Sequence, residues 1–386
     1  MTQAFVNGRA SSLDEATEAA AAILGAARLP LVYGLALSTV EAQGEAARLA
    51  ALLRGVVDSA ASAGQAPALD AFTRLGLLTA SLGELRRADL VVFWGCDPEG
   101  IHPGFVERYA PAREGRVRVA VDVGPVRGPE GADERLSLSA DREIEALLVL
   151  RAFVRGRRVE PEGIEPLALP IEALRGLARR LTACAYGVLL HEGDPRPARR
   201  DPVRPAALTA LAQDVRGPAR LRTIALRSPG NPVGAENVLT WQTGFPSAVS
   251  FARGFPRHDP AEFSGEGLLA RGEVDAALVV GADPSQHLSP AALRHLGRIP
   301  IVAVGEVNAG GSTQTGAGVL SRAKVRVATA PFAATAGRVF RMDGIALRHE
   351  PSLSSPLPSE ATVLARIAAS ARGRAAAGEH PSGGLA

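Results

Sequence analysis

Leu90-Val91-Val92-Phe93-Trp94-Gly95-Cys96-Asp97-Pro98 is a five-residue apolar run that ends at Gly-x-Asp-Pro. A run this short with no polar alternation reads as a strand buried on both faces, which belongs inside a parallel sheet covered by helices. The same ending recurs at Val280-Gly281-Ala282-Asp283-Pro284, behind the apolar Ala276-Ala277-Leu278-Val279. Two strands that finish alike predict a duplicated architecture, with one pocket at the carboxyl edge of each sheet.

Outward from these two strands, short apolar runs lie at 30–35, 117–121, 185–190, 223–226, 301–304 and 325–328, most of them separated by helix-length segments. Ser12 stands three residues before Glu15 at the head of an Ala-rich run to about Ala27, the pattern of a capping box and a helix. A second helical pattern runs from Val40 to about Arg54. The predicted fold class is α/β, with two doubly wound, mostly parallel-sheet domains. The segment 194–202 carries Pro195, Pro197 and Pro202, which lack amide donors, and is read as a loop. The end of the chain beyond Arg372, rich in Gly, Ala and Pro, is expected to be flexible at its tip.

A chain of 386 residues exceeds what one hydrophobic core supports, so about two domains are expected. At 46% apolar and 22% charged residues the composition is that of a globular protein, which argues against disorder. No apolar stretch is long enough for a membrane span, and Met1-Thr2-Gln3-Ala4-Phe5 does not open an export signal; a cytoplasmic location is expected. The formal charge is +3, Lys324 is the sole lysine, and aromatics make up 4%, with arginines spread among acids. A nucleic-acid binder concentrates its cations and interleaves stacking aromatics, so that class is set aside. Cys96 and Cys184 lack the paired spacing of a metal site or a disulfide framework.

Two readings stand for the strand-end signatures: a ligand pocket in which Gly admits a ligand and Asp bonds it, or a turn in which Asp-Pro merely ends the strand. The Gly- and Asn-rich stretch 228–237, followed by 241–246 and 251–258 with their aromatics and arginines, reads either as a binding surface or as a packed loop. His102 and His287 follow the two signatures and are candidate acids or bases, or loop hydrogen-bonding residues. No nucleophile elbow, Walker loop, His-Glu-x-x-His or Cys–His pairing is present, so no catalytic residue is assigned.

Taken together, several strings resemble the B subunit of formylmethanofuran dehydrogenase, a relative of the molybdopterin and tungstopterin oxidoreductases. They are Tyr33-Gly34-Leu35 with Glu41-Ala42-Gln43, Thr79-Ala80-Ser81-Leu82-Gly83-Glu84 with Arg87-Ala88-Asp89, and Trp94-Gly95 through His102-Pro103. Further on come Gly230-Asn231, Gly234-Ala235-Glu236-Asn237, Thr240-Trp241-Gln242-Thr243-Gly244-Phe245-Pro246, Arg253-Gly254-Phe255-Pro256-Arg257 and Phe340-Arg341-Met342-Asp343. The resemblance implies the oxidoreductase fold without its N-terminal iron-sulfur module. Where the family carries a Cys or selenocysteine metal ligand and a His, this chain has Gly64 and Gln65, which cannot act as soft ligands.

That departure is similar to the B-type component of a bacterial formyltransferase/hydrolase complex. The resemblance then implies a non-catalytic scaffold binding no tungsto- or molybdopterin and no iron-sulfur cluster. Its partners would be an A-type amidohydrolase-like component, a C-type component and a D-type formyltransferase. The complex would move formyl from tetrahydromethanopterin to a methanofuran-type carrier and release formate, in one-carbon metabolism of methylotrophs. The alternative is a working tungsten or molybdenum oxidoreductase that keeps its pterin cofactor. Implied remnants of the cofactor crevice are Gly95, Asp97, His102, Asn231, Asn237, Trp241 and Asp283. Candidate contacts to an acidic carrier are Arg196, Arg199, Arg200, Arg204, Arg253 and Arg257, whose guanidinium forks suit carboxylates. The implied division is an N-terminal arm and helix (1–28), a discontinuous domain (29–54 with 175–350), an inserted domain (55–166), and a C-terminal helix with a flexible tail (351–386).

Overall fold

The computed structural model describes residues 4–159, 170–216, 219–306 and 318–377. Its first strands in chain order are β1 (Ala4–Val6), β2 (Arg9–Ser11), β3 (Pro30–Gly34) and β4 (Val56–Ser59). Next come β5 (Leu90–Trp94), β6 (Val117–Val123), β7 (Glu134–Leu138), β8 (Gly187–Glu192) and β9 (Leu221–Leu226). The last are β10 (Val249–Ser250), β11 (Arg257–His258), β12 (Ala276–Val280), β13 (Ile301–Gly305), β14 (Val325–Ala328), β15 (Gly337–Phe340) and β16 (Ala346–His349). The chain divides into a discontinuous unit, Met1–Ala63 with Gly230–Ala386, and an inserted unit, Gly64–Pro229.

The discontinuous unit is built on one sheet of order β11-β10-β4-β3-β12-β13-β14-β1-β2. Its five central strands are parallel, and antiparallel pairs close both edges. Every residue of β3, β12 and β13 is buried, as the absence of polar alternation requires. The Leu13–Ala26 helix starts with a complete capping box, Ser12 Oγ accepting from Glu15 N and the Glu15 carboxylate accepting from Ser12 N. Small Ala faces on this helix and on Val40–Leu52 pack, with Val363, Leu364 and Ile367 of the Glu360–Ala376 helix, into one core with Val32, Leu278 and Val302. Each fully buried Val, Leu or Ile there is worth roughly 1.5–3 kcal/mol. From β3 the chain steps outward to β4, and from β12 it steps the other way to β13 and β14, so the strand order reverses between β3 and β12.

The inserted unit carries an all-parallel sheet of order β7-β6-β5-β8-β9, whose reversal point lies between β5 and β8. Helices Glu143–Val154, Ile171–Ala183 and Arg204–Asp214 bury Leu147, Leu150, Leu174, Leu181, Leu208 and Leu211 against its strands.

The observed division differs from the expected one in three respects. β8 pairs with β5 and β9 with β8, so the chain through Pro229 belongs to the inserted unit rather than to the discontinuous one from about 175. The inserted unit also begins at Gly64 rather than 55, because β4 pairs in parallel with β3. The arm at 1–28 is part of the discontinuous unit, adding β1 and β2 to its sheet edge. Helix Glu360–Ala376 ends the described chain, and the expected flexible tip at 378–386 lies outside the described residues.

Candidate functional site

In the inserted unit, a small crevice partly open to solvent lies past the carboxyl end of β8, with Ala225 of β9 on its wall. Its walls are Gly64, Gln65 and Pro67 from helix Ser62–Leu75, His191, Glu192 and Gly193 from the end of β8, and the Pro-rich loop. The crevice lies on the β8–β9 side of the reversal point, near the region where a doubly wound fold opens its ligand crevice.

Gln65 fills part of that space. Its Nε2 donates to the Gly193 carbonyl and, at 2.9 Å, to Asp194 Oδ1. Asp194 also accepts from Arg227 Nε at 3.0 Å and from Ser228 N at 2.6 Å, and the Arg227–Asp194 ion pair is buried. A Cβ added at Gly64 would lie 3.4 Å from Pro195 Cδ, in ordinary contact.

Beneath the crevice, Arg204 Nε donates to Glu143 Oε1, which also accepts from Trp94 Nε1, while Arg204 Nη2 reaches the Trp94 carbonyl at 3.3 Å. Burial and the nearby Arg204 charge push the His191 imidazole down to about 4, so it stays neutral at physiological pH. Its Nδ1 lies 3.0 Å from the Glu192 carbonyl. Burial raises the Glu192 carboxyl, opposed by Arg199, whose Nη2 sits 2.8 Å away.

The remaining sequence-chosen residues fall within one unit or the other. Gly95 has φ +51° just past β5, and a Cβ there would crowd Arg204 Nη2 and Val123 Cγ2 at 3.1 Å. Asp97 caps helix Pro98–Ile101 by accepting from Gly100 N, and His102 Nε2 lies 2.8 Å from the Arg227 carbonyl. Asn231 is fully buried: its Nδ2 donates to the Ser38 carbonyl, and its Oδ1 accepts from Phe340 N. Asn237 Nδ2 bonds the Val233 carbonyl one turn back along its own helix, Asp283 caps a short turn through Ser285 N, and Trp241 is 55% exposed with its ring 6.1 Å from that of Phe340. Asp97, His102, Asn231 and Asn237 thus serve caps, turns and loop anchoring in this structure.

The six arginines separate by environment. Arg196 and Arg253 are exposed, Arg199 pairs with Glu192, Arg200 Nε reaches the Pro195 carbonyl, and Arg257 lies over the Phe263 ring, 3.7 Å from Glu262. Arg204 departs from the expectation of a loop cation: it opens helix Arg204–Asp214 and is buried on Glu143. His191, Glu192 and Glu143 were missed in the sequence. The visible signal was a shortened form of the strand-end signature, Gly193-Asp194-Pro195 after His191-Glu192, without the intervening residue of the other two.

No family model matches the chain. It is 30% identical over 306 residues to the B subunit of the tungsten-containing formylmethanofuran dehydrogenase 2 of Methanocaldococcus jannaschii, covering 75% of this chain and 69% of that one. It is also 30% identical over 318 residues to the B subunit of the formyltransferase/hydrolase complex Fhc of Methylorubrum extorquens, covering 80% and 82%. The chain belongs to the family of formylmethanofuran dehydrogenase B subunits. A relative of this family from Methanococcus maripaludis is 28% identical over 358 residues, with 89% and 79% covered.

Among solved structures, a chain in the crystal structure of the Methylorubrum extorquens formyltransferase/hydrolase complex with methylofuran superposes with TM-score 0.77 at 26% identity, over 97% of this chain and 99% of that one. Acetylene hydratase from Pelobacter acetylenicus superposes with TM-score 0.52 at 12% identity, over 96% and 61%, and shares the fold.

The tungsten or molybdenum that the family implies can be tested against the residues present. Position 64 has no side chain, and the neighbouring Gln65 amide is committed to Gly193 and Asp194. The resemblance implies a protein thiolate at this place, and both Cys96 and Cys184 are buried, with thiols raised to about 12 and about 11. Neither Gly64, Gln65 nor the two buried cysteines therefore supplies that thiolate. Among the described residues, no group of three or more His, Cys, Asp or Glu is placed to hold an ion, and no helix is long and apolar enough to cross a membrane.

Proposed function

We propose that this chain is the B-type, non-catalytic scaffold of a cytoplasmic formyltransferase/hydrolase complex of one-carbon metabolism. The observation that carries the reading is Gln65, which binds Gly193 and Asp194 at the place where the resemblance puts a metal thiolate. Near end-to-end superposition on a chain of the Methylorubrum extorquens complex supports it over the oxidoreductase alternative.

In this reading the A-type amidohydrolase-like and D-type formyltransferase partners carry the chemistry, with the C-type partner, while this chain holds the assembly and binds no pterin cofactor or cluster. Gly64, Gln65, Gly95, Asp97, His102, Asn231, Asn237, Trp241 and Asp283 are then remnants of a cofactor site put to structural use. Exposed Arg196 and Arg253, with Arg199, Arg200 and Arg257, would meet the acidic part of a methanofuran-type carrier, and Arg204 would support the loop from below. Each exposed arginine–carboxylate contact contributes only about 0–1 kcal/mol, so several must act together.

The test is co-expression with the three partner types in medium free of tungstate and molybdate. Assembly of a complex that contains this chain and transfers formyl to the furan carrier is expected. Stoichiometric tungsten or molybdenum in the chain purified from parallel cultures supplied with tungstate and molybdate, with dye-linked oxidation of the formylated carrier, would overturn the proposal.

A further inference from the structure

At the amino edge of the inserted sheet, where β5 and β6 start side by side, the chain before each strand carries a pair of arginines: Arg86 and Arg87 before β5, Arg113 and Arg116 before β6. The fold brings the two pairs together. Arg113 Nη2 donates to the Arg87 carbonyl at 2.7 Å and to the Ala88 carbonyl at 3.0 Å. Arg116 donates through Nε to the Ala88 carbonyl at 2.9 Å and through Nη2 to the Leu85 and Arg86 carbonyls at 3.3 and 2.6 Å. Both guanidinium groups thus serve the carbonyls at and just past the end of the short helix Leu82–Leu85.

That arrangement gathers positive charge without matching it. Among the described residues none of the four arginines forms an ion pair with an Asp or Glu. Arg116 is buried, and burial together with the neighbouring Arg113 and Arg118 charges lowers its pKa, with no carboxylate opposing them. Arg86, Arg87 and Arg113 are exposed. Most acids of the same edge are committed elsewhere. Asp133 pairs with Arg118, Asp89 accepts from the Ala185 and Tyr186 amides, and Glu84 accepts from Ser81 N and the Tyr186 hydroxyl, with the Arg222 charge also near it. Glu114 is exposed beside Arg113, and helix Phe105–Tyr109, packed against Leu82–Leu85, adds one exposed charge of each sign, Glu107 and Arg108.

A buried charge normally has a counter-charge, and guanidinium forks match carboxylates. Neither 84–88 nor 111–118 contains an aromatic residue on which a base could stack, which favours a protein over a nucleic acid as the source of the anions. We propose that the amino edge of the inserted sheet, at the starts of β5 and β6, docks an acidic segment of a partner protein. Its Asp and Glu carboxylates take the open forks of Arg86 and Arg87 and complete the charge of Arg113 and Arg116. The inference rests on the reading that this chain works inside an assembly. It concerns the opposite edge of the sheet from the crevice and its Pro-rich loop, so it adds a partner surface to the carrier surface proposed there.

The test treats the complex of this chain with its three partner types with phenylglyoxal, which modifies accessible guanidinium groups, and compares the digested chain with the free chain by mass spectrometry. Arg86 and Arg87 should react in the free chain and be protected in the complex. Their side chains hold no hydrogen bond among the described residues, so Arg86→Glu with Arg87→Glu should leave the unfolding midpoint of the free chain unchanged. In titrations of the labelled chain with the partner components, that variant should lose affinity by about tenfold, since two weak attractions become repulsions. Arg86→Lys with Arg87→Lys keeps the charge and should retain most of the affinity. Full reactivity of both arginines in the complex, or unchanged affinity in the glutamate variant, overturns the proposal and leaves the scaffold reading standing; failure of any complex to form overturns both. Protection that appears only on adding the furan carrier, or that nuclease treatment removes, overturns it in favour of the carrier or of a nucleic acid.

Discussion

Arg204 Nε lies 2.7 Å from Glu143 Oε1, and the two side chains are only 10% and 11% exposed, so the floor of the crevice in the inserted unit is a buried ion pair. Its cost of desolvation is offset because the remaining donors are used: Arg204 reaches the Trp94 and Glu192 carbonyls, and Glu143 accepts from the Trp94 indole. Glu143→Ala strands a buried guanidinium and an indole N–H, and should lower stability by about 3–5 kcal/mol. Glu143→Met combined with Arg204→Met should recover most of that loss in chemical denaturation, because the charge is then removed rather than orphaned.

Stability should fall on the acid side through His191. Its folded pKa is about 4, below the ordinary value of 6.5, so the unfolded chain binds the proton first. The His191 contribution is therefore complete above pH 6.5 and is lost as pH falls through about 4. A His191→Gln variant should show a shallower decline in unfolding midpoint over that window than the parent. Identical slopes would mean the imidazole titrates freely in the fold.

Much of the parallel core was legible because periodicity reports burial. The runs at 90–94, 276–280 and 325–328 coincide with β5, β12 and β14, where tertiary context and local pattern agree. What was missed lacked that signal. β7 reads Glu-Arg-Leu-Ser-Leu and buries only Leu136 and Leu138, as an edge strand does, and β4 has four residues. The β1–β2 hairpin was missed as well, although Asn7-Gly8, with φ values of +50° and +78°, suits a tight two-residue turn. The crevice was less legible than the strands. Glu143 and Arg204 are 61 positions apart in sequence, and nothing local marks either as the other's partner.

Both thiols should be inert in the native chain. Cys96, raised to about 12 by burial, would be thiolate at pH 8 in about one molecule in ten thousand, and Cys184, at about 11, in about one in a thousand. Intact-mass measurement after brief iodoacetamide treatment should find no adduct without denaturant and two adducts with it. A native adduct on Cys96 would contradict its enclosure at the end of β5.

Gly64 and Gln65 make opposite predictions, and together they test whether the residues at the implied metal position now serve stability. Gly64 lies in helix Ser62–Leu75 without a positive φ, and an added Cβ would make only ordinary contact with Pro195. Alanine there restricts the unfolded chain more than it perturbs the fold, so Gly64→Ala should stabilise by roughly 0.5–1 kcal/mol. Gln65→Ala removes the amide from the Gly193 carbonyl and from Asp194, but Asp194 keeps Arg227 and Ser228. The loss should be about 1 kcal/mol per hydrogen bond given up, and not the larger penalty of an orphaned charge. Gln65→Glu separates packing from charge. It nearly preserves shape, yet it sets a second carboxylate against Asp194, and should destabilise more than alanine at pH 8, with the difference narrowing as pH falls through the carboxylate range. Urea unfolding of the four chains at pH 8 and pH 5 reads all of these signs. Equal stability of Gln65→Ala and Gln65→Glu at pH 8 would show that Gln65 does not face Asp194 in solution, and would remove the observation on which the scaffold reading rests.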